Sequence, residues 1–316
     1  MKEAFLVLSP GPCTTVQDLG RFGYQHLGMP ACGALDGFAM RVANLLVGNP
    51  EACAVLEMTV IGAQLAVLRE TDIAITGADM GIKLNSRPVG SWQSMRLKPG
   101  DLLSVQTVKS GCRGYLAATG GIHVPIIMGS RSTHINGKVG GFEGRPLQKG
   151  DIVQQGQGEL LKRPLDLPGG WIPRHTDQST LRAIPGPQDD HFREALTTFF
   201  AAEYTLSAAS DRMGCRLNGP ELTPGASAAQ SIVSEPTMPG SVQVPADHQP
   251  IVLFAEQTVG GYAKIATVIS TDIKKIAQAV PADRVQFKKV DLAAAHAAYQ
   301  EQEETIARIA EMFSRR

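Results

Sequence analysis

The sequence predicts a mainly β protein built as two barrel-like lobes, with a few short helices and one helix at its C-terminal end. Three observations predict this. Short apolar runs are bounded by Gly, Pro, Asp and Asn clusters instead of being joined by regular helices. A turn that ends in Asp and feeds a strand occurs three times, in "LKPGDLLSV" (97–105), "LQKGDIVQ" (147–154) and "VPADRVQF" (280–287). Closed or nearly closed barrels use such a device because each strand has to be delivered at a fixed corner. Finally, the stretch 155–180 is rich in Gly, Pro and polar residues, as a passage between lobes would be, and the expected lobes are 1–170 and 171–316.

Taken in order, the first lobe is expected to hold strands in "AVLEMTV" (54–60), "AQLAVL" (63–68), "DIAIT" (72–76), "DLLSVQ" (101–106) and "GYLAAT" (114–119). The second holds "SVQVP" (241–245), "PIVLFA" (250–255), "AKIATVIS" (263–270) and "RVQFKKV" (284–290). Pairing is expected to be mostly antiparallel. A helix is predicted in "ALDGFAMRVANLLVG", where Leu35, Phe38, Ala39, Val42, Leu45 and Leu46 follow the helical spacing and Gly48-Asn49-Pro50 ends it. A second lies near 189–200. From Leu292 to Phe313 there is no Gly or Pro, and Leu292, Ala295, Tyr299, Ile306, Ile309 and Phe313 recur near the helical period, so an amphipathic helix is predicted there, packed on its own barrel or on a partner.

Composition narrows the function. With 316 residues, 43% of them hydrophobic, an ordinary core can be filled. Thirty basic residues balance thirty acidic ones, so no overall field favours nucleic acid. No run approaches the roughly 20 apolar residues of a membrane span, and the short apolar run after Met1 is too brief for a secretion signal. Five cysteines, odd in number and without a CxxC pair, read as reduced thiols in a cytosol, so a cytoplasmic protein is expected. No phosphate-binding G-x-x-x-x-G-K-[ST], HExxH, zinc-spaced Cys/His cluster or G-x-S-x-G elbow occurs, and there is no Met-Lys-Met of the kind that carries biotin. The chain is therefore expected to have no nucleotide cradle, metal site or swinging arm of its own.

What remains are polar clusters in glycine-rich loops and at strand ends. One gathers Gln17, Asp18, Arg21, His26 and Asp36. Another is "TGAD", ending in Asp79. A third is "GSRSTHINGKVGGFEGR" (129–145), with Arg131, Ser132, His134, Glu143 and Arg145. The second lobe offers Asp211 and Arg212, Glu235 in "SEPTMPG", and Gln257, Thr258, Gly260, Gly261, Tyr262 and Lys264 in "QTVGGYAK". Carboxylates beside guanidinium groups either staple loops or grip an anion, and both uses look alike in sequence. Paired glycines let backbone N–H groups approach an anion closely, which gives Arg131 and the 260–262 loop a claim to a ligand. His26 and His134 are read either as general acid or base or as hydrogen-bonded loop residues.

In order along the chain, "GPCTTVQDLGRFGYQHLGMPACGALD", "RVANLLVGNPEACAVLE", "TGADMG", "GYLAATGGI", "MGSRST", "GGFEGRPLQKGD", "SDRMGCRLNG" and "QTVGGYAKIATVI" resemble one family. It includes the C subunit of bacterial ATP-dependent 5-oxoprolinase, the second half of the carboxyltransferase domain of urea carboxylase, and an antagonist of a sporulation-kinase inhibitor. The resemblance implies cyclophilin-like β-barrels and a heteromeric complex with a KipI-like B subunit and a LamB/YcsF-like A subunit. It also implies ATP-dependent opening of 5-oxo-L-proline to L-glutamate, with ATP used by the complex. On this reading Asp18, Asp79 and His26 supply acid/base chemistry. Arg21, Arg131, Ser132, Gln257, Thr258, Gly260, Gly261, Tyr262 and Lys264 bind a small anionic substrate. Asp36, Glu143, Asp211, Arg212 and Glu235 support the loops or bind, and no metal is involved. Two alternatives share the same motifs: a carboxyltransferase component using biotin carried by another protein, and a non-enzymatic antagonist of a kinase inhibitor. The sequence departs from the family pattern at Ala255, which replaces a common Asp, and at His248, where a turn that needs positive φ usually carries Gly.

Overall fold

Ten strands pair into one sheet in the first of two units of the computed structural model, which describes residues 2–225 and 231–314. The first unit comprises Met1–Phe22, Cys32–His175 and Thr305–Arg316, and the second comprises Gly23–Ala31 and Thr176–Glu304. A single cut at residue 170 does not describe this grouping, because the loop Gly23–Ala31 belongs with the second unit and the last turns of the C-terminal helix with the first.

The first-unit strands are β1 (Lys2–Ser9), β2 (Thr14–Gln17), β3 (Val55–Thr59), β4 (Gln64–Val67), β5 (Thr71–Leu84), β6 (Arg87–Val89), β7 (Ser94–Leu97), β8 (Leu102–Ala118), β9 (Ile122–His123) and β10 (Ile152–Gln155). Their order is β2-β3-β8-β4-β1-β10-β9, with β5 on β8 and with β6 and β7 on β5. The runs 101–106 and 114–119, expected as two strands, form the one strand β8. The residues between them stay extended because β5 follows β8 through register shifts at Gly77/Asp79, Asp79/Met80 and Met80/Ile82. Gly77 makes the first of these possible: its φ is +86°, and a Cβ there would run into the Arg113 carbonyl. One face of the sheet buries an aliphatic core around Phe5, Leu56, Leu65, Ile73, Ile75, Leu103 and Leu116. The other carries helix α1 (Gly37–Leu46), whose Phe38, Met40, Val42 and Leu46 pack with Tyr115, Trp92 and the residues Ile306, Ile309 and Phe313.

The second-unit strands are β11 (Gln178–Pro185), β12 (Glu203–Leu206), β13 (Gly214–Asn218), β14 (Glu235–Pro236), β15 (Ser241–Gln243), β16 (Ile251–Leu253), β17 (Val259–Gly260), β18 (Lys264–Val268) and β19 (Arg284–Lys289). Seven of them close a barrel in the order β11-β18-β15-β16-β13-β12-β19, sealed by parallel pairing of β11 with β19. Helix α2 (Arg193–Ala201) buries Phe199 against it, with the Phe199 and Phe287 rings stacked at 4.2 Å and Tyr204 beside them. A short helix α3 (Ile273–Ala277) and the long α4 (Leu292–Ser314) follow. The protein is thus mainly β, with one closed barrel, one barrel-like sheet, few helices and a C-terminal helix. Among the described residues, no helix is long and apolar enough to cross a membrane.

The thrice-repeated turn is one structure used three times. In each copy the Asp carboxylate accepts the N–H three residues before it: Lys98 to Asp101 at 2.7 Å, Gln148 to Asp151 at 2.7 Å and Val280 to Asp283 at 2.8 Å. The Asp N–H returns to that residue's carbonyl, and the next residue starts β8, β10 or β19. The residue before each Asp has positive φ, which is +90° at Gly100 and +94° at Gly150 but +78° at Ala282. A left-handed alanine costs about 1 kcal/mol more than glycine. Nothing lies within 4 Å of a Cβ built on Gly100 or Gly150, so conformation alone decides the effect there. Ala282→Gly should raise stability in denaturant melts by about 1 kcal/mol, and Gly100→Ala should lower it by a similar amount. His248 follows the same logic: its φ of +56° is the conformation for which a glycine was expected.

Candidate ligand-binding site

Asp18 and Arg21 lie near one another in sequence, but, Gly20 N–H aside, each finds its partners far along the chain. Asp18 Oδ1 accepts hydrogen bonds from Gly20 N–H (2.9 Å), Ser130 Oγ (2.7 Å) and Ser132 Oγ (2.6 Å), while its Oδ2 accepts Arg131 N–H at 2.6 Å. Arg21, 0% exposed, donates through Nε to the Ile127 carbonyl (3.0 Å) and through Nη2 to the Ser132 carbonyl (2.9 Å). The two side chains therefore fasten the 17–21 loop to the 127–132 loop, while Arg21 Nη1 is buried without a hydrogen-bond partner. Arg131 points its Nε to the Val124 carbonyl at 3.1 Å. Its guanidinium also faces Cys53 and His123: burial pushes the Cys53 thiol up while Arg131 pulls the other way, and burial and then Arg131 push His123 down.

The remaining first-unit candidates are dispersed. Asp36 caps α1 by accepting Ala39 N–H at 3.0 Å. Glu143, 71% exposed, pairs with Arg145, which is also held by Asp151. Asp79 is exposed on β5 where the register shifts.

The second unit assembles what the first does not. A cavity of about 670 Å³ is lined by Gln25, His26 and Gly28 of the inserted loop, Pro187, the 236–238 segment, Ser241, Thr258, Val259, Lys264 and Thr267. That volume lies in the range of small-molecule sites. His26 reaches it because the Gln25–Leu27 turn ends on Gly28 at φ +75°. Lys264 is the chemically distinctive wall residue. It is 4% exposed, and an ammonium at such depth requires a counter-charge. Glu235 supplies it through a hydrogen bond from Nζ. Gln188 braces the pair, donating Nε2–H to Glu235 Oε1 at 2.8 Å and accepting Lys264 N–H at 3.0 Å. The Lys264 ammonium, and then the Gln188 amide, hold the Glu235 carboxyl below its ordinary range.

Of the expected site residues, His26, Thr258 and Lys264 line this cavity, and Glu235 pairs with Lys264. Gly260 lies in β17 opposite Glu235, where a Cβ would strike the Gln243 amide, so close packing accounts for its small size. Gly261 and Tyr262 spend their carbonyls on Ile232 N–H and Gln243 Nε2, and Gln257 is half-buried one residue before Thr258. Arg212 pairs with Glu256 at 2.6 Å, and Asp211 accepts Met213 N–H at 2.7 Å as a turn cap. Sequence reasoning missed Gln188 and Thr237. Thr237 sits inside the "SEPTMPG" motif that drew notice for Glu235, whereas Gln188 carried no signal beyond a Pro-Gly-Pro turn.

Residues 27–289 match the family described as carboxyltransferase domain, subdomain A and B. A protein of Escherichia coli that bears the name of the 5-oxoprolinase C subunit is 38% identical over 94% of this chain and 94% of its own length. One of the same name from Haemophilus influenzae is 35% identical over 88% of each. The crystal structure of Kluyveromyces lactis urea carboxylase is similar with a TM-score of 0.92 at 31% identity, covering 98% of this chain but only 29% of that one. By the extent of the family match and by these relatives, the chain belongs to the carboxyltransferase-domain family, subdomains A and B.

Proposed function

We propose that this chain is the C subunit of a cytoplasmic 5-oxoprolinase, which acts with A and B subunits to open the lactam of 5-oxo-L-proline to L-glutamate, and that its second-unit cavity binds the lactam. The observation that carries the reading is Lys264 in the cavity wall, braced by Glu235, in a chain that aligns with proteins of that name over nearly its whole length. A lactam is locked as a cis amide, so its C=O acceptor and N–H donor lie along one edge. The Lys264 ammonium in the wall offers a donor to that C=O. Lys264 then stabilises charge that grows on the carbonyl oxygen as the amide is attacked, and Glu235 with Gln188 holds the ammonium in place. His26 is the proton-transfer candidate at the same cavity.

ATP does not fit this wall. Lys264, the lysine lining the cavity, is already matched by Glu235, and no glycine-rich phosphate loop occurs in the sequence. ATP is accordingly assigned to the companion subunits. Asp18, Arg21 and Ser132 are proposed to be loop staples rather than catalytic or substrate-binding groups. A biotin-dependent carboxyltransferase is the second reading, favoured by the similarity to urea carboxylase and by a cavity with more room than a five-membered lactam fills. Biotin's ureido carbonyl presents a comparable acceptor to Lys264.

Co-expression with the chains encoded beside it, followed by an assay for glutamate, tests the proposal. The complete complex should release glutamate from 5-oxoproline only with ATP and only with this chain present. A well-folded complete complex that releases none, and instead transfers a carboxyl group from biotin, would establish the second reading.

A further inference from the structure

Thr237 lines the cavity and is 5% exposed, and its Oγ1 is buried without a hydrogen-bond partner. An unmatched hydroxyl in a wall is destabilising, and native proteins keep few of them. The residue is also held in place. Its N–H donates to the Thr258 carbonyl at 2.9 Å, continuing the two-stranded ribbon of β14 and β17. Thr237 directly follows β14, two residues after Glu235, about 7 Å along an extended chain. The ion pair and the unmatched hydroxyl thus stand one strand repeat apart.

The cavity's ammonium is already neutralised, so an anionic substituent on a ligand has to find a neutral donor. A turn about Thr237 χ1 exchanges its methyl and hydroxyl groups and offers that donor. We infer that Thr237 is a specificity-determining residue whose hydroxyl donates to the ring carboxylate of the substrate, distinguishing 5-oxoproline from the same lactam without a carboxylate. The inference rests on the lactam reading proposed above. Thr237 touches the part of the ligand that does not react, so its loss weakens binding uniformly instead of slowing the chemical step.

The test uses the full chain in its complex, as wild type, Thr237→Val and Thr237→Ser, with 5-oxoproline as substrate and 2-pyrrolidinone as competing inhibitor. Thr237→Val should raise KM for 5-oxoproline about tenfold with kcat within about twofold, the loss of one hydrogen bond. It should leave the inhibition constant of 2-pyrrolidinone unchanged. The melting temperature should hold or rise, because valine removes an unmatched hydroxyl, and Thr237→Ser should behave as wild type. An unchanged KM in Thr237→Val, or a loss of KM matched by lower stability and by weaker 2-pyrrolidinone binding, would overturn the inference. If the wild-type complex does not turn over 5-oxoproline, the proposed function falls on its own. The variants are then compared by dissociation constants for the two lactams from ligand-detected NMR. A tenfold loss of 5-oxoproline preference in the valine variant alone upholds the role of Thr237, and equal or absent preference in all three refutes it.

Discussion

Lys264→Met is expected to lower kcat/KM of the assembled enzyme by about 100-fold while the chain remains folded. Methionine keeps the length and apolar stem of lysine, so the barrel wall between Ala263 and Ile265, both buried, stays filled. What disappears is the cation that would face the substrate carbonyl. The usual penalty for stranding a buried partner is small here, because the Glu235 side chain is 37% exposed and keeps its Gln188 hydrogen bond. Melting temperature should therefore change little. The pair also sets a pH limit. Because the Glu235 carboxyl is held below its ordinary 4.5, its contribution is complete above that value and fades only as pH falls through the lowered folded value. Substrate binding by the wild type should accordingly persist to pH 4.5, measured as KM against pH, and a loss of binding already at pH 6 would count against the pair. A regulator that merely sequesters a kinase inhibitor would tolerate Lys264→Met.

Asp18→Ala should cost about 3–5 kcal/mol of stability, seen as a fall in melting temperature of about 10 °C or more. The carboxylate accepts two buried hydroxyls and two half-buried backbone N–H groups, and alanine removes the acceptor of all four. Arg21 is affected as well, because the Ser132 carbonyl it grips belongs to the segment that Asp18 holds. Asp18→Asn keeps the shape and part of the acceptor capacity, so it should fall between alanine and wild type.

The strand pattern, the three Asp turns and the helices were legible because each is encoded within a few residues: a turn closes on itself over four positions, and a helix repeats every three or four. The continuous β8 was not, since nothing between 106 and 114 looks like a strand until β5 is laid beside it through its register shifts. The same distinction governs the site. Asp18 and Arg21 stand three positions apart in one loop, yet apart from Gly20 N–H the groups they bond stand more than 100 positions away. Lys264 and Glu235 were both singled out from glycine- and proline-rich motifs, but their union across 29 positions is a product of the barrel. Gln188, 76 positions from Lys264, had no local mark at all. His26 joins them because its loop packs with the second unit, which no neighbouring residue announces.

If the ligand is handled at the second-unit cavity and the Asp18 cluster is architectural, activity and stability must separate between the two places. The most direct measurement is specific activity per folded molecule in the reconstituted complex, determined for Lys264→Met and Asp18→Asn alongside their melting curves. Lys264→Met is then expected to be stable and nearly inactive, and Asp18→Asn less stable yet close to wild type per folded molecule. The reverse pattern, an inactive but fully stable Asp18→Asn beside an active Lys264→Met, would contradict this assignment.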